Sequence, residues 1–439
     1  MLRKLSFIIG RIKSDDMARH GILMAAFGFA LGLFNYLYQL AMGRMLQPED
    51  YGILMSLTSL FLIISIFALV IRTVMSKFIS RYYAEGNMKA VCSLWRLYLK
   101  RTLILGVALF AVAALLSPII SGFLRIGNFW YPLTLFSALI LAFAVPVNYG
   151  TLNGLHRFFH LGWTTTLWAV LKLLLAIVLI KLGFGLYGGL LPFLIAFIII
   201  FAITLALLKD LRGGSSGKVE IVGFRSYLGL SFIAILAYTV LTNFDVVLVK
   251  RFLSAEEAGN YAALAALGRA ALFAPMGIAL AMFPKTSGLH EMGKSHRSVL
   301  LMGVLLTILI SGVVVLVYWI DPEFVLGFLG RYESGALKYP MAADHLFKYS
   351  IAMLLFAVSY IVMNYFLSIN RIRVAYPFMV TAFLQVVLII YFHSDIGQVV
   401  NAMLVSAAVC LIAVIAFYLF WIKRYVPPIK LITDEVPDG

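Results

Sequence analysis

The chain has 439 residues, of which 63% are hydrophobic and only 12% are charged, and its formal net charge is +16. A soluble domain carries about 25% charged residues, so this composition excludes an ordinary soluble protein. The apolar runs approach the roughly 20 residues that cross a bilayer as a helix, and the short alternating segments of a membrane β-barrel are missing. We therefore expect an all-α polytopic membrane protein.

Twelve membrane-spanning helices are predicted along the chain. Their approximate ranges are 20–43, 52–76, 98–121, 131–152, 161–180, 186–208, 227–249, 259–283, 299–320, 346–369, 374–392 and 397–421. With both termini in the cytoplasm, 24 of the 35 Lys and Arg residues lie in cytoplasmic segments and seven on the other side. This asymmetry favours the cytoplasmic (inner) membrane with that orientation. Because these basic residues are spread over short loops, nucleic-acid binding is not expected.

A polar phrase between spans 1 and 2 returns between spans 7 and 8. "RMLQPEDYG", Arg44 to Gly52, is echoed by "RFLSAEEAG", Arg251 to Gly259, at an offset of 207 residues. A second echo pairs "NYGTLNGLHR" from Asn148 with "NYFLSINRIR" from Asn364, at an offset of 216. Each half has six spans, so both halves enter the membrane in the same direction. Such parallel repeats build secondary transporters whose site lies between the halves.

The repeat predicts three segments. They are an N-terminal six-helix bundle at 1–208, a cytoplasmic linker at 209–226, and a C-terminal six-helix bundle with a short cytoplasmic tail at 227–439.

The loops are too short for a catalytic domain. "GGSSGKV" lacks the first glycine and the final hydroxyl residue of a phosphate loop, and the pair His290 and Glu291 lacks the second histidine of a zinc motif. We therefore expect no enzymatic activity, no catalytic metal and no cofactor.

Five charged residues fall within the predicted spans. Arg269 and Lys172 lie near the membrane midplane, whereas Arg72 and Lys348 lie close enough to span ends to reach the interface. A charge at the bilayer centre costs about 2.5–3.5 kcal/mol and requires a cavity or a partner. Asp245 differs from Arg269 in depth by only about 7.5 Å at the helical rise, so the two are expected to pair, in a structural or a functional role. Four cations against one acid predict a cavity that attracts anions.

Uncharged polar residues accompany these charges. Some are expected to join helices and others to hydrogen-bond a substrate. The candidates are Asn35 and Gln39 in span 1, Asn243 with Thr242 in span 7, and Asn148, Asn153 and Asn364 in spans 4 and 10. Asn148 and Asn364 lie at the predicted cytoplasmic ends of their spans, where we expect them to line an inward-facing opening.

Three stretches carry a resemblance to a known family. They are "GRMLQPEDYGIL", "NFDVVLVKRFLSAEEAGNYAALAALGRA" and "MFPKTS". The chain resembles the polysaccharide transporter (Wzx-like oligosaccharide flippase) family of the multidrug/oligosaccharidyl-lipid/polysaccharide (MOP) superfamily, most strongly at 30–90 and 230–295. The resemblance implies two six-helix bundles that form a V around a central cavity. It also implies flipping of lipid-linked oligosaccharides, typically on undecaprenyl pyrophosphate, to the outer leaflet.

The function expected from these features is a flippase for cell-surface polysaccharide biosynthesis. Arg269, helped by Lys172 and Arg72, would attract the anionic head into the cavity while the lipid tail stays in the bilayer. The alternatives are a cation-coupled multidrug exporter of the same superfamily and a non-transporting membrane assembly partner. The expected partners are lipid-linked oligosaccharide, membrane lipid, and glycosyltransferases or a polymerase of the same pathway. A coupling ion, H⁺ or Na⁺, is left open.

Overall fold

The computed structural model describes residues 16–213, 224–273 and 276–424. Within these residues the chain is helical, and the only extended pairing is an isolated bridge between Arg331 and Leu337. The all-α prediction is confirmed. The middle of the predicted linker and the C-terminal tail lie outside the described residues.

The helices are labelled here in chain order. The first half contains α1 (Asp16–Met45), α2 (Pro48–Ala84), α3 (Met88–Phe123), α4 (Trp130–Phe136), α5 (Leu139–Ala142), α6 (Val145–Gly154), α7 (Phe158–Leu179) and α8 (Gly185–Leu207). The second half contains α9 (Phe224–Phe252), α10 (Ala255–Gly268), α11 (Ala270–Phe273), α12 (Met276–Glu291), α13 (Arg297–Ile320), α14 (Pro322–Gly327), α15 (Ala343–Ser368), α16 (Ala375–Tyr391) and α17 (Ile396–Arg424).

The described residues contain 11 helical stretches that are long and apolar enough to cross a membrane. The longest, Phe158–Leu207 with 50 residues, is a hairpin of two spans. The chain turns back at Gly183 and Gly185, which have φ angles of 88° and 52°, a region that favours glycine. A Cβ on Gly188 would lie 2.8 Å from the backbone nitrogen of Ile180, so the two arms are in close contact. With this hairpin counted as two, the described residues contain twelve spans, as predicted.

Two predicted spans are interrupted rather than continuous. The span expected at 131–152 consists of α4, α5 and α6, and α6 restarts with Pro146 in its first turn. Proline lacks the N–H that would continue the preceding helix. A Cβ on Gly106 of α3 would lie 2.5 Å from the carbonyl oxygen of Ile140, so α3 packs directly on the irregular backbone. The span expected at 259–283 is likewise divided into α10, α11 and α12.

Helices α2 and α3 are longer than predicted, with 37 and 36 residues. The C-terminal part of α2 and the N-terminal part of α3 pack together in a separate hydrophobic cluster that includes Ile79, Val91 and Trp95. Leu208, which directly follows α8, joins the same cluster. The sequence prediction ended both spans at polar residues, but tertiary packing extends the two helices beyond them.

The first echo is in register in the structure. At the offset of 207 residues three pairs of helix boundaries and one pair of turn glycines coincide. The pairs are Met45 and Phe252, Pro48 and Ala255, Ala84 and Glu291, and the positive-φ glycines Gly86 (68°) and Gly293 (65°). The second echo is not in register with the helix ends. The matching left-handed residues His156 and Asn370, with φ of 58° and 57°, are 214 residues apart rather than 216.

Helices pack mainly on helices of their own half. In the first half α1 contacts α7 and α2 contacts α6, while in the second half α15 contacts α13 and α17. Helix α2 makes the main connection between the halves, because it packs on both α9 and α10. The boundaries at 208 and 227 stay predictions.

Candidate functional site

A buried ion pair lies inside the second half. Asp245 on α9 accepts a hydrogen bond from Arg269 Nη2 at its Oδ1, with an N–O distance of 3.0 Å. Its Oδ2 accepts two more, from Tyr261 Oη at 2.9 Å and Tyr349 Oη at 2.8 Å. The Asp245 side chain is fully buried and that of Arg269 is 3% exposed. The pair suggested by depth in the sequence is confirmed.

Local geometry explains why these groups meet. Tyr261 lies in the middle of α10 and Arg269 directly follows its last residue; at a separation of eight residues the two side chains share one face of the helix. Tyr349 comes from α15, and its ring occupies the space beside Gly268, where a Cβ would lie 2.3 Å from ring atom Cδ1. Glycine at this position lets α15 approach closely enough for the tyrosine hydroxyl to reach Asp245.

The arrangement neutralises the charge of Arg269. A buried carboxylate with three donors compensates a buried guanidinium, and removal of either partner would leave the other unpaired at low dielectric. Arg269 Nε has no hydrogen-bond partner, so one donor remains for a ligand or a rearrangement. Its role in substrate attraction stays a prediction, but Arg269 is not a free cation in this conformation.

The first half buries a cation in a different way. Lys172 on α7 is 4% exposed, and its Nζ donates to Asn35 Oδ1 on α1 at 2.7 Å. Three aromatic rings surround the ammonium, with centroid distances of 4.3 Å for Tyr38, 4.7 Å for Trp168 and 4.8 Å for Phe193. Asn35 is held in turn by its own Nδ2, which donates to the Leu31 carbonyl. We name these five side chains, from Asn35 to Phe193, the lysine cage.

The lysine cage contains no negative charge. A desolvated cation–π contact is worth about 2 kcal/mol, and the amide oxygen supplies one hydrogen bond. Three such contacts and one hydrogen bond approach the several kcal/mol that desolvating an ammonium costs in real proteins, but none of them supplies a counter-charge. The cage therefore leaves a net attraction for an anion that can approach it.

The other predicted site residues are half-buried and spread over both halves. Gln39 Oε1 on α1 is buried without a partner. Asn243 on α9 donates within its own helix, to the Thr239 carbonyl and Thr242 Oγ1. The Arg72 guanidinium lies 5.9 Å from the ring centroid of Tyr149. Gln39 therefore offers a buried, unused acceptor to a ligand.

The asparagines of spans 4 and 10 make structural contacts. Asn148 is fully buried. Its Oδ1 accepts from Trp95 Nε1 at 2.9 Å, and its Nδ2 donates to Thr204 Oγ1 at 2.9 Å. It joins α3, α6 and α8 and does not line an opening in this structure. Asn364 is half-buried and donates to the Tyr360 carbonyl within α15.

The repeated phrases contact each other, which the sequence did not predict. At one end of the bundle the start of α2 crosses the start of α10. A Cβ on Gly52 would lie 3.0 Å from the backbone nitrogen of Gly259, and a Cβ on Gly259 would lie 2.2 Å from the carbonyl oxygen of Pro48. We name this contact the glycine crossing. The sequence did carry a sign of this contact, because both phrases have a glycine at the same position.

A loop of the second half reinforces the closure at the same end. Lys338 Nζ donates to the carbonyls of Arg44 (3.1 Å) and Leu46, and Tyr339 Oη donates to the Gly43 carbonyl at 2.6 Å. These carbonyls belong to the C-terminal end of α1, which lacks intrahelical donors. Burial lowers the pKa of Lys338. The halves are therefore tied together at the end that the charge pattern assigns to the outside.

Comparisons with known proteins were informative only at the level of structure. No family model matches the chain, and no curated protein matches its sequence. An inward-facing multidrug resistance MATE family transporter of the MOP superfamily superposes with a TM-score of 0.77 at 16% identity, over 89% of this chain and 96% of the other. An outward-facing structure of a MATE family transporter gives a TM-score of 0.60 at 16% identity, over 92% and 94%.

A third similar structure is a MOP superfamily transporter from Pyrococcus furiosus Vc1, described as having a binding pocket of reverse polarity that suggests a different function. It gives a TM-score of 0.61 at 17% identity, over 92% of this chain and 94% of the other. At these identities the likeness concerns the fold. The chain is a polytopic helical membrane protein with the fold of the MATE transporters of the MOP superfamily.

Proposed function

We propose that this protein is an alternating-access transporter of the MOP type that moves an anionic amphiphile, a lipid-linked oligosaccharide, across the cytoplasmic membrane. The observation that carries the proposal is the lysine cage: Lys172 is a buried cation whose contacts include no ionised group. A diphosphate head supplies the charge that the cage lacks. The only acid deep in the described spans, Asp245, is already occupied by Arg269.

The glycine crossing supports a transport cycle. It closes one end of the interface between the halves, and the TM-score is higher for the inward-facing MATE structure than for the outward-facing one. We infer that the crossing closes the outer side while the substrate head enters from the cytoplasm. Export then requires Gly52 and Gly259 to separate as the halves rock. The direction of transport and the pathway partners rest on the charge pattern and the family resemblance.

A second function is favoured by the comparisons themselves. The similar structures include multidrug resistance MATE transporters, and a cation-coupled exporter with this fold is the alternative. Such a transporter needs a carboxylate for its cation. Here Asp245 would have to release Arg269 during the cycle.

Reconstitution into proteoliposomes separates the two functions. Wild-type protein is expected to translocate a fluorescent undecaprenyl-pyrophosphate oligosaccharide, read as protection from dithionite, and to transport no ethidium under a proton or sodium gradient. Lys172→Met should reduce the translocation at least tenfold, because the ammonium is removed from an otherwise similar apolar volume. Lys181→Met is the matched control, since Lys181 is exposed in the turn between α7 and α8.

Either of two results would contradict the proposal. One is ethidium transport with no movement of the lipid-linked sugar, which would favour the exporter. The other is full translocation by Lys172→Met at normal protein levels, which would show that the lysine cage does not serve the substrate.

A further inference from the structure

A second basic site lies on the surface of the first half, away from the lysine cage. A cleft of about 400 Å³ lies between α3 and Arg212, the residue that ends the short turn Lys209–Leu211 after α8. Three cations line it: Arg96 and Lys100 from α3, and Arg212 from the turn. None of the lining residues is acidic.

One of the three cations, Arg96, is fixed in place by a hydrogen bond. Arg96 Nη2 donates to the Leu211 carbonyl at 3.2 Å, which joins α3 to the turn. Lys100 and Arg212 are both exposed. The nearest acid in the sequence, Asp210, is engaged elsewhere, because its Oδ2 accepts from Arg157 Nη2 at 2.6 Å. The positive charge of the cleft is therefore not cancelled by that carboxylate.

The remaining wall of the cleft is apolar and continues into the membrane. Leu99 lies between the two cations of α3, and Leu103 and Ile104 follow them at helical spacing; Ile104 is 60% exposed. From residue 102 to the end of α3 at Phe123 the sequence has no charged residue. The cations thus lie at the membrane interface, and the apolar wall lies at the edge of the hydrocarbon.

We propose that this cleft binds an anionic phospholipid, with its phosphate between Lys100 and Arg212 and an acyl chain along Leu103 and Ile104. Basic pockets at the cytoplasmic side of membrane helices favour anionic lipid heads. A free phosphate ion would leave the apolar wall uncovered, so a lipid matches both parts of the cleft. The bound lipid would hold the turn Lys209–Leu211 against α3, and this proposal does not depend on which substrate is transported.

The test measures lipid binding to the detergent-purified full-length protein by microscale thermophoresis. The probes are dioctanoyl-phosphatidylglycerol, dioctanoyl-phosphatidylcholine and inorganic phosphate. Wild-type protein should bind the glycerol lipid at least about tenfold more tightly than either other probe. Each interfacial charge contributes about fivefold, so Lys100→Gln should weaken binding about fivefold and the double variant Lys100→Gln/Arg212→Gln about 25-fold.

The matched control is Arg101→Gln. Arg101 is exposed at the same depth of α3 but does not line the cleft, so its removal should change the affinity less than twofold. Thermal unfolding of each variant checks that the fold is intact, as expected for exposed positions. Equal binding of the two lipids, phosphate binding as tight as phosphatidylglycerol binding, or an equal loss in Arg101→Gln would each overturn the proposal.

Discussion

Each half of the molecule buries a cation deep within its spans, Lys172 in the first half and Arg269 in the second, and the two are surrounded by different kinds of partner. In the second half Arg269 faces a carboxylate that two tyrosines also hold. In the first half Lys172 faces three aromatic rings and one amide oxygen. A complete ion pair makes a rigid structural element, whereas a cation without a counter-charge makes a site that can gain from an anionic ligand. Similar helical frames can therefore carry a structural contact and a binding contact at different positions.

The largest effect is expected from breaking the ion pair. Asp245→Ala or Arg269→Ala should destabilise the protein by about 3–5 kcal/mol, because each leaves an unpaired buried charge. The double variant Asp245→Leu/Arg269→Met should be much more stable than either single variant, since it leaves no charge behind. Denaturation of the detergent-solubilised proteins measures the three values. Additive losses in the double variant would contradict a tightly coupled pair.

Removing the cation of the lysine cage should leave stability nearly unchanged and reduce transport instead. Lys172→Met is expected to change stability by no more than about 1 kcal/mol, because a side chain of similar volume replaces a cation without an acidic partner. Transport of an anionic substrate should nevertheless fall at least tenfold. A loss of stability similar to that of Arg269→Ala would show that Lys172 is a structural residue, and the contrast between the halves would disappear.

The glycine crossing allows a comparison of equivalent positions. Gly259→Ala should destabilise the closed conformation by about 1–3 kcal/mol through overpacking, because its Cβ would meet backbone of Pro48 at 2.2 Å. Gly52→Ala should cost less, since its closest contact would be 3.0 Å. Gly288→Ala is the control, with open space around its Cβ. Thermal unfolding ranks the three variants, and equal values would argue against close packing at the crossing.

The smallest effect concerns the turn after α12. His296 Nε2 lies 3.3 Å from His290 Nδ1, and its Nδ1 lies 2.8 Å from Tyr365 Oη. Burial, followed by the neighbouring His290, lowers the pKa of His296. Its stabilising contribution is full above the unfolded pKa of about 6.5 and is lost as pH falls through the lowered folded pKa.

The equivalent turn of the first half offers the comparison for this pH dependence. There Asn87 caps α3 by accepting from the Ala90 nitrogen, and it does not titrate. A small drop in melting temperature of the wild type in mildly acidic buffer should shrink in His296→Gln. An unchanged drop in that variant would assign the acid sensitivity to other groups.

The sequence predicted the parts of the fold that follow from hydrophobic length and from the repeat. The number of spans and the register of the 207-residue offset were correct. The interruptions at α4 to α6 were missed because Pro146 lies in an apolar run, where hydropathy does not distinguish a continuous helix from a broken one. The extensions of α2 and α3 were missed because polar residues usually end a span, whereas here packing continues the helices.

The candidate site was predicted in part. Intramembrane charges are rare enough that Arg269, Asp245 and Lys172 could be found by inspection, and the depth of Asp245 indicated its partner. The sequence does not show how each helix is rotated about its axis, and therefore not which neighbours each of its faces contacts. The tyrosines around Asp245 and the rings around Lys172 therefore resembled ordinary apolar residues, and the buried Asn148 could not be told from a cavity residue.

The glycine crossing also has a consequence for assembly. Gly52 and Gly259 are equivalent positions of the repeat, and each lies against the other. In a symmetric dimer, equivalent residues meet in this way at the two-fold axis of an isologous interface. The chain thus resembles a homodimer whose protomers have been fused. A surface suited to pairing with its own equivalent would remain exposed on a single half, so an isolated half would be prone to self-association through it.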